Sequence, residues 1–374
     1  MAGPARGTSS TKPYFVSLPV DLAAIGGLSL LVFGGLFLLQ RLGGIGGARS
    51  NEVVALGAAL VWIVNYPHFS ATSYRLYRSQ ANMDQYPLTA YLIPFLVLGG
   101  AALSMNSPSG FAPYFVKFFQ IWSPYHFSGQ TFGLAMLYAR RIPYQLSPVD
   151  RRLLRWFIYS TYLSLVATIE TGIRQYQFYG VTFPTVGLPG WVAHVAWYAM
   201  LGLGALVVIR LMVIPATRRT GPPWMVLLPA ATQFVWFGLG QQLPSFAEFI
   251  PAFHSLQYLL VAWSVQLKTQ LDESGHRGSR GFVVDASVRW LATNILGGVA
   301  LFWGLPHAAT ALGGFDINLT TAVFFAAIQI HHFFVDGVIW KLKNPRVLSP
   351  LLVNLDELLH TTSRRAVAPA GTAS

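Results

Sequence analysis

The chain has 374 residues and a net charge of +12, yet only 10% of its residues are charged and 53% are hydrophobic, where a soluble domain carries about 25% charged residues. With a mean hydropathy of +0.49 and repeated apolar runs of spanning length, these values exclude an ordinary soluble domain and predict an all-α, polytopic transmembrane helix bundle. The complete lack of cysteine excludes disulfides, zinc–thiolate sites, iron–sulfur clusters and thiol nucleophiles together.

The polar segment 1–20 reads as a cytoplasmic tail, because no brief apolar core is followed there by a small-residue cleavage site. Ten spans are predicted after it: Asp21–Leu39, Val53–Thr72, Leu88–Met105, Phe111–Tyr138, Leu153–Gln175, Trp191–Ile214, Trp224–Gly240, Phe249–Leu267, Val288–Leu305 and Leu319–Trp340. The fourth is over-long and carries Pro124, which predicts a kink or a break into two pieces. Residues 21–345 thus form the membrane domain, and the Ala/Thr/Ser-rich segment 346–374 reads as a mostly disordered cytoplasmic tail.

Basic residues alternate between the loops. Arg140, Arg141, Arg151, Arg152 and Arg155 follow span four, Arg218 and Arg219 span six, Lys268, Arg277 and Arg280 span eight, and Lys341, Lys343 and Arg346 span ten. The intervening loops 176–189, 241–248 and 306–317 hold neither Lys nor Arg. This pattern predicts both termini on the cytoplasmic side, and a bacterial inner membrane is the expected location. Arg41 and Arg49 between the first two spans run against it. The basic excess reads as a topology signal in contact with anionic lipid, and no nucleic-acid-binding module is present. Glu170 and Arg174, one turn apart within span five, predict a structural ion pair.

Ionisable groups within apolar spans are costly and mark function by default. His68, His126, His254 and the pair His331/His332 lie in spans of one direction and at similar depth, with Asp336 four residues beyond His332. His194 and His307 fall near the outer ends, and His276 in a loop. Three or four imidazoles with an open position suit iron, copper or zinc. Each histidine has a polar neighbour one turn away that can fix its tautomer: Asn65 and Thr72 for His68, Gln130 for His126, Gln257 for His254, Asp336 for His332. His331 points about 100° away from His332, so it is either the ligand in its place or a partner toward a neighbouring helix. No nucleophile elbow, phosphate loop, dinucleotide fingerprint or zinc-hydrolase motif occurs.

Three strings, Pro67-His68-Phe69, Tyr125-His126-Phe127-Ser128-Gly129 and Phe253-His254-Ser255-Leu256-Gln257, resemble in order three histidine motifs of the Brp/Blh β-carotene dioxygenases. The likeness covers about a tenth of the chain. Phe69 stands where that family has glycine, Gln130 near its second aspartate, and Tyr258 near its second histidine of the third motif. The resemblance implies a polytopic membrane oxygenase with non-haem iron held by histidines. The combined expectation is Fe(II) held by His68, His126, His254 and His332, with Asp336, His331 and Gln130 in supporting or catalytic roles. The expected substrates are O2 and a lipophilic isoprenoid, carotenoid or fatty chain. Copper is an alternative metal. Two other readings stand beside this one: a transporter or channel with a His/Asp proton or metal path, and a haem b protein with two axial imidazoles. The sequence leaves the oligomeric state open.

Overall fold

The computed structural model describes residues 13–43, 48–141, 146–217, 223–274 and 279–341. Within them run ten long helices, α1 (Leu18–Arg41), α2 (Asn51–Tyr77), α3 (Leu88–Asn106), α4 (Ala112–Ala139), α5 (Pro148–Ile169), α6 (Gly190–Val213), α7 (Trp224–Phe234), α8 (Ile250–Ser274), α9 (Arg280–Gly313) and α10 (Ile317–Ile339), besides short helical turns such as Gln80–Gln85 and Pro244–Ala247. The protein is an all-α, multi-pass membrane bundle: α1, α2, α3, α6, α9 and α10 are each long and apolar enough to cross a membrane. Polar side chains that bond one another inside the bundle lower the hydropathy of the others. Gln233 of α7, for instance, donates to Ser128 Oγ of α4 at 2.9 Å and to Thr161 Oγ1 of α5 at 2.7 Å. His276, Arg218, Arg219, Arg277, Lys343, Arg346 and the tail 346–374 lie outside the described residues.

α10 is the central element. In its apolar window 61% of residues are buried, against 11% in the peripheral α6. It packs on α2, α3 and α4, while α8 lies against α1 and α2. Helices α2 and α9 approach closely at Gly298, where an added Cβ would meet the Tyr66 carbonyl carbon at 2.7 Å.

Several helices contain one wide turn closed by an i→i+5 bond. In four of them a proline follows: Tyr66 N–H to Val61 precedes Pro67, Ile93 to Leu88 precedes Pro94, Ile214 to Ile209 precedes Pro215, and Leu305 to Ala300 precedes Pro306. A proline lacks its N–H and crowds the carbonyl four residues back. One inserted residue moves that carbonyl away and rotates the next segment by about 100°. In α2 that rotated segment begins with Tyr66-Pro67-His68.

Three expectations are corrected. α4 is a single helix of 28 residues that runs through Pro124, so of the two outcomes expected there the break into two pieces does not occur. Span five ends at Ile169, and Glu170 caps it, so no helical turn links Glu170 to Arg174. The chain turns instead into a hairpin, β1 (Gln175–Phe178) and β2 (Val181–Pro184). Its two-residue loop, Tyr179-Gly180, has φ of 44° and 78°, the doubly positive geometry that matches strand twist in tight hairpins. Glu170 pairs with Lys117 Nζ at 2.9 Å, and Arg174 is exposed.

Candidate metal centre

Four helices bring their histidines to one place. His68 comes from α2, His126 from α4, His254 from α8 and His332 from α10. The ring centroids are 4.4 Å apart for His68 and His332, 4.8 Å for His126 and His332, 5.2 Å for His68 and His254, and 5.4 Å for His126 and His254. The Nε2 atoms of His126 and His332 are 3.2 Å apart. Asp336 Oδ2 is 3.4 Å from His332 Nε2 and 3.7 Å from His126 Nε2. One donor atom each from His68, His126, His332 and Asp336 lies within 4.8 Å of all the others.

These distances fit one cation. Two donors each about 2.1 Å from a metal at tetrahedral to octahedral angles stand about 3.0–3.4 Å apart, a range that contains the His126–His332 separation of 3.2 Å. A pair at the 4.8 Å bound would have to close by about 1.4 Å to enter that range.

The bonding around His68 assigns its tautomer. Its Nδ1 is 2.9 Å from Ser255 Oγ, and that hydroxyl donates its proton to Asn65 Oδ1 at 2.7 Å. Nδ1 must therefore carry the proton and donate it to Ser255. Nε2 is left with a bare lone pair, and it is buried without a hydrogen-bond partner. A second residue holding the far nitrogen of a ligating imidazole is the usual way of fixing such a ligand. Both ring nitrogens of His254 and Nδ1 of His332 are also buried without partners. Each unmet group costs about 1–3 kcal/mol, so four orphaned nitrogens in one spot are expensive unless something bonds them.

Aromatic rings lock the set, and they do so across helices. Phe69, next to His68, packs on His332 at 4.7 Å; Phe127, next to His126, stacks on His254 at 3.6 Å; Phe333, next to His332, stacks on His126 at 4.8 Å. The His-Phe dipeptide occurs three times in the chain, at these three sites. That recurrence is the sequence signal from which the cage was readable.

The same-helix partners expected from spacing hold only for His332 and Asp336. Gln130 donates to the His254 carbonyl at 3.0 Å and lies 3.4 Å from Gln257 Oε1, not against the His126 ring. Gln257 donates to the Ile25 carbonyl at 2.6 Å. Thr72 Oγ1 sits 3.2 Å from Asp336 Oδ1 and 2.6 Å from the Tyr258 hydroxyl, tying the carboxylate to α2 and α8. His331 is not part of the cluster. Its Nε2 is 3.0 Å from the Tyr77 hydroxyl, on the face its angular offset from His332 dictates. His194 is exposed, and His307 Nδ1 bonds the Trp303 carbonyl at 2.8 Å. Ser255, Asn65, Thr72 and Tyr258 join the site from tertiary packing; Tyr258 and Ser255 had no spacing signal of their own.

A cavity of about 540 Å³ adjoins the cluster; its lining includes His126, Gln130, Asp336, Trp340 and Lys341. Comparison with protein-family models, with curated proteins and with solved structures gives no match to this chain.

Proposed function

We propose that this chain is a membrane-embedded, histidine-ligated metalloenzyme that uses non-haem iron and O2 on a lipophilic substrate. The observation that carries the reading is the convergence of His68, His126, His332 and Asp336 on one buried point, with unpartnered imidazole nitrogens around it. Neutral imidazoles with a carboxylate and open positions are the donor set of non-haem Fe(II) oxygenases. Bound there, Fe(II) supplies the one-electron chemistry that lets O2 react with an unsaturated chain. His68, His126 and His332 hold the ion and Asp336 balances its charge, while His254, expected as a fourth ligand, stands outside that group of donors. The Asn65–Ser255 relay keeps His68 in the ligating tautomer. Phe69, Phe127 and Phe333 keep water from the site and fix the rings, and the adjoining cavity admits a hydrocarbon.

The direct contact between the His126 and His332 rings leaves no gap for a porphyrin plane between them, which weighs against the haem reading. The full topology belongs to the same proposal. All ten helices cross a bacterial inner membrane, with the basic loops and both termini on the cytoplasmic side. The order of the three histidine strings gives the distant likeness to Brp/Blh dioxygenases its place here.

The test is O2 uptake by Fe(II)-loaded, detergent-purified protein offered carotenoids and unsaturated fatty chains, with mass analysis of products. Substrate-dependent uptake that is lost in Asp336→Asn and His332→Ala is expected. Ion or proton flux in liposomes without any O2 uptake would replace the enzyme with a transporter.

A further inference from the structure

The cavity beside the histidines has a direction. Along α4 its lining extends from Trp122 to Leu137, about 22 Å at helical rise and longer than the roughly 15 Å of one leaflet's hydrocarbon. His126 lies in the first third of that length. On α10 the lining continues past Asp336 to Trp340 and Lys341, at the helix end that carries the predicted cytoplasmic charges.

Three glycines keep the cavity open. A Cβ added at Gly133 or Gly337 would meet nothing within 4 Å, and one at Gly129 would meet only the Tyr159 hydroxyl, at 3.7 Å. They stand on α4 and α10, which form the slot together with Tyr159 of α5 and Gln257, Tyr258 and Val261 of α8. Its far end is cationic. Lys341 lines it; Arg155 is not a lining residue but lies over the ring of Tyr159, which lines the cavity beside Tyr125 and Gly129, at 5.6 Å. Neither cation has a carboxylate partner among the described residues. An apolar slot ending in an ammonium with no carboxylate partner among the described residues complements one kind of molecule.

We propose that the slot binds a single-chain lipid with a carboxylate head, which enters from the leaflet where Lys341 lies. The head pairs with Lys341, the chain runs along the glycine faces, and its interior carbons come to rest beside His126 and Asp336. This names the substrate class of the proposed enzyme and rests on that reading for its chemistry, though not for its binding.

The test is binding of tritiated palmitate to the full chain in maltoside micelles, with unlabelled hexadecanol as competitor and iron content measured on every sample. Saturable palmitate binding is expected, with hexadecanol at least tenfold weaker. Lys341→Ala should erase that difference, and Lys341→Arg should restore it. Gly133→Leu and, on the opposite wall, Gly337→Leu should abolish binding while helicity and iron content stay as in wild type. Hexadecanol competing as strongly as palmitate overturns the carboxylate assignment. Wild-type binding in both leucine variants, or none in wild type, overturns the slot. Loss of iron in His332→Ala with palmitate still bound leaves this inference standing. Iron-free wild type that still binds palmitate removes the oxygenase reading alone.

Discussion

Two of the places where the bundle buries ionisable groups treat them in opposite ways. At the hairpin end, Lys117 Nζ meets Glu170 Oε2 at 2.9 Å and the Pro184 carbonyl at 2.6 Å; Glu170 Oε2 also accepts the Val186 N–H at 2.5 Å, and its own carbonyl accepts the Leu188 N–H at 2.8 Å. None of those side-chain atoms is left unpartnered. The clamp ties α4 and α5 to the hairpin and needs nothing else. At the histidine centre the scaffold is equally exact about Nδ1 of His68 but leaves Nε2 bare, together with His254 and Nδ1 of His332. Burial alone therefore does not mark function. Burial with donor atoms converging on one point does.

Breaking each region separately sharpens that contrast. The largest effect belongs to His126→Ala, which should drop bound metal to below about a tenth of an ion per chain by elemental analysis, because the binding energy of a closed site is lost with a ligand. Its helical circular dichroism should stay that of wild type. Next comes the clamp. Lys117→Met leaves Glu170 buried without its cation and should lower stability by about 3–5 kcal/mol in a thermal or denaturant melt. The double variant Lys117→Met/Glu170→Gln should recover much of that loss, and both should keep their metal. Ser255→Ala removes the acceptor that fixes His68, and should weaken metal affinity about 10–100-fold in chelator competition with little change in melting. The smallest effect is His331→Ala, which gives up one hydrogen bond to Tyr77 and should cost about 0.5–1.5 kcal/mol of stability with metal affinity unchanged.

Much of this was legible in the sequence because the bilayer makes it so. Apolar runs of spanning length announced the helices, and histidines inside those runs announced the centre, since hydrocarbon penalises an idle imidazole. What distinguishes His331 from His332 was not legible. The two are adjacent, and only the identity of the facing helix, with Tyr77 on one side and His126 on the other, separates them. Ser255 was hidden for the same reason, since it lies on another helix and meets His68 only through packing, whereas Asn65 was named by its spacing but not its route through Ser255. The Glu170–Arg174 pairing failed because helical spacing was assumed beyond the point where the helix ends. The hairpin that ends it was readable in the alternation of Tyr176, Phe178, Val181 and Phe183 around Tyr179-Gly180. The role of Gln130 misled because i+4 spacing brings a side chain to the right face without saying which neighbour it will bond.

The most direct measurement is iron stoichiometry, with an absorption spectrum, on purified wild type beside His331→Ala and His332→Ala. Near one iron per chain without a Soret band in wild type and His331→Ala, and its loss in His332→Ala, is what the centre described here predicts. Equal metal in all three, metal lost from His331→Ala alone, or a well-folded wild type with none, would contradict it.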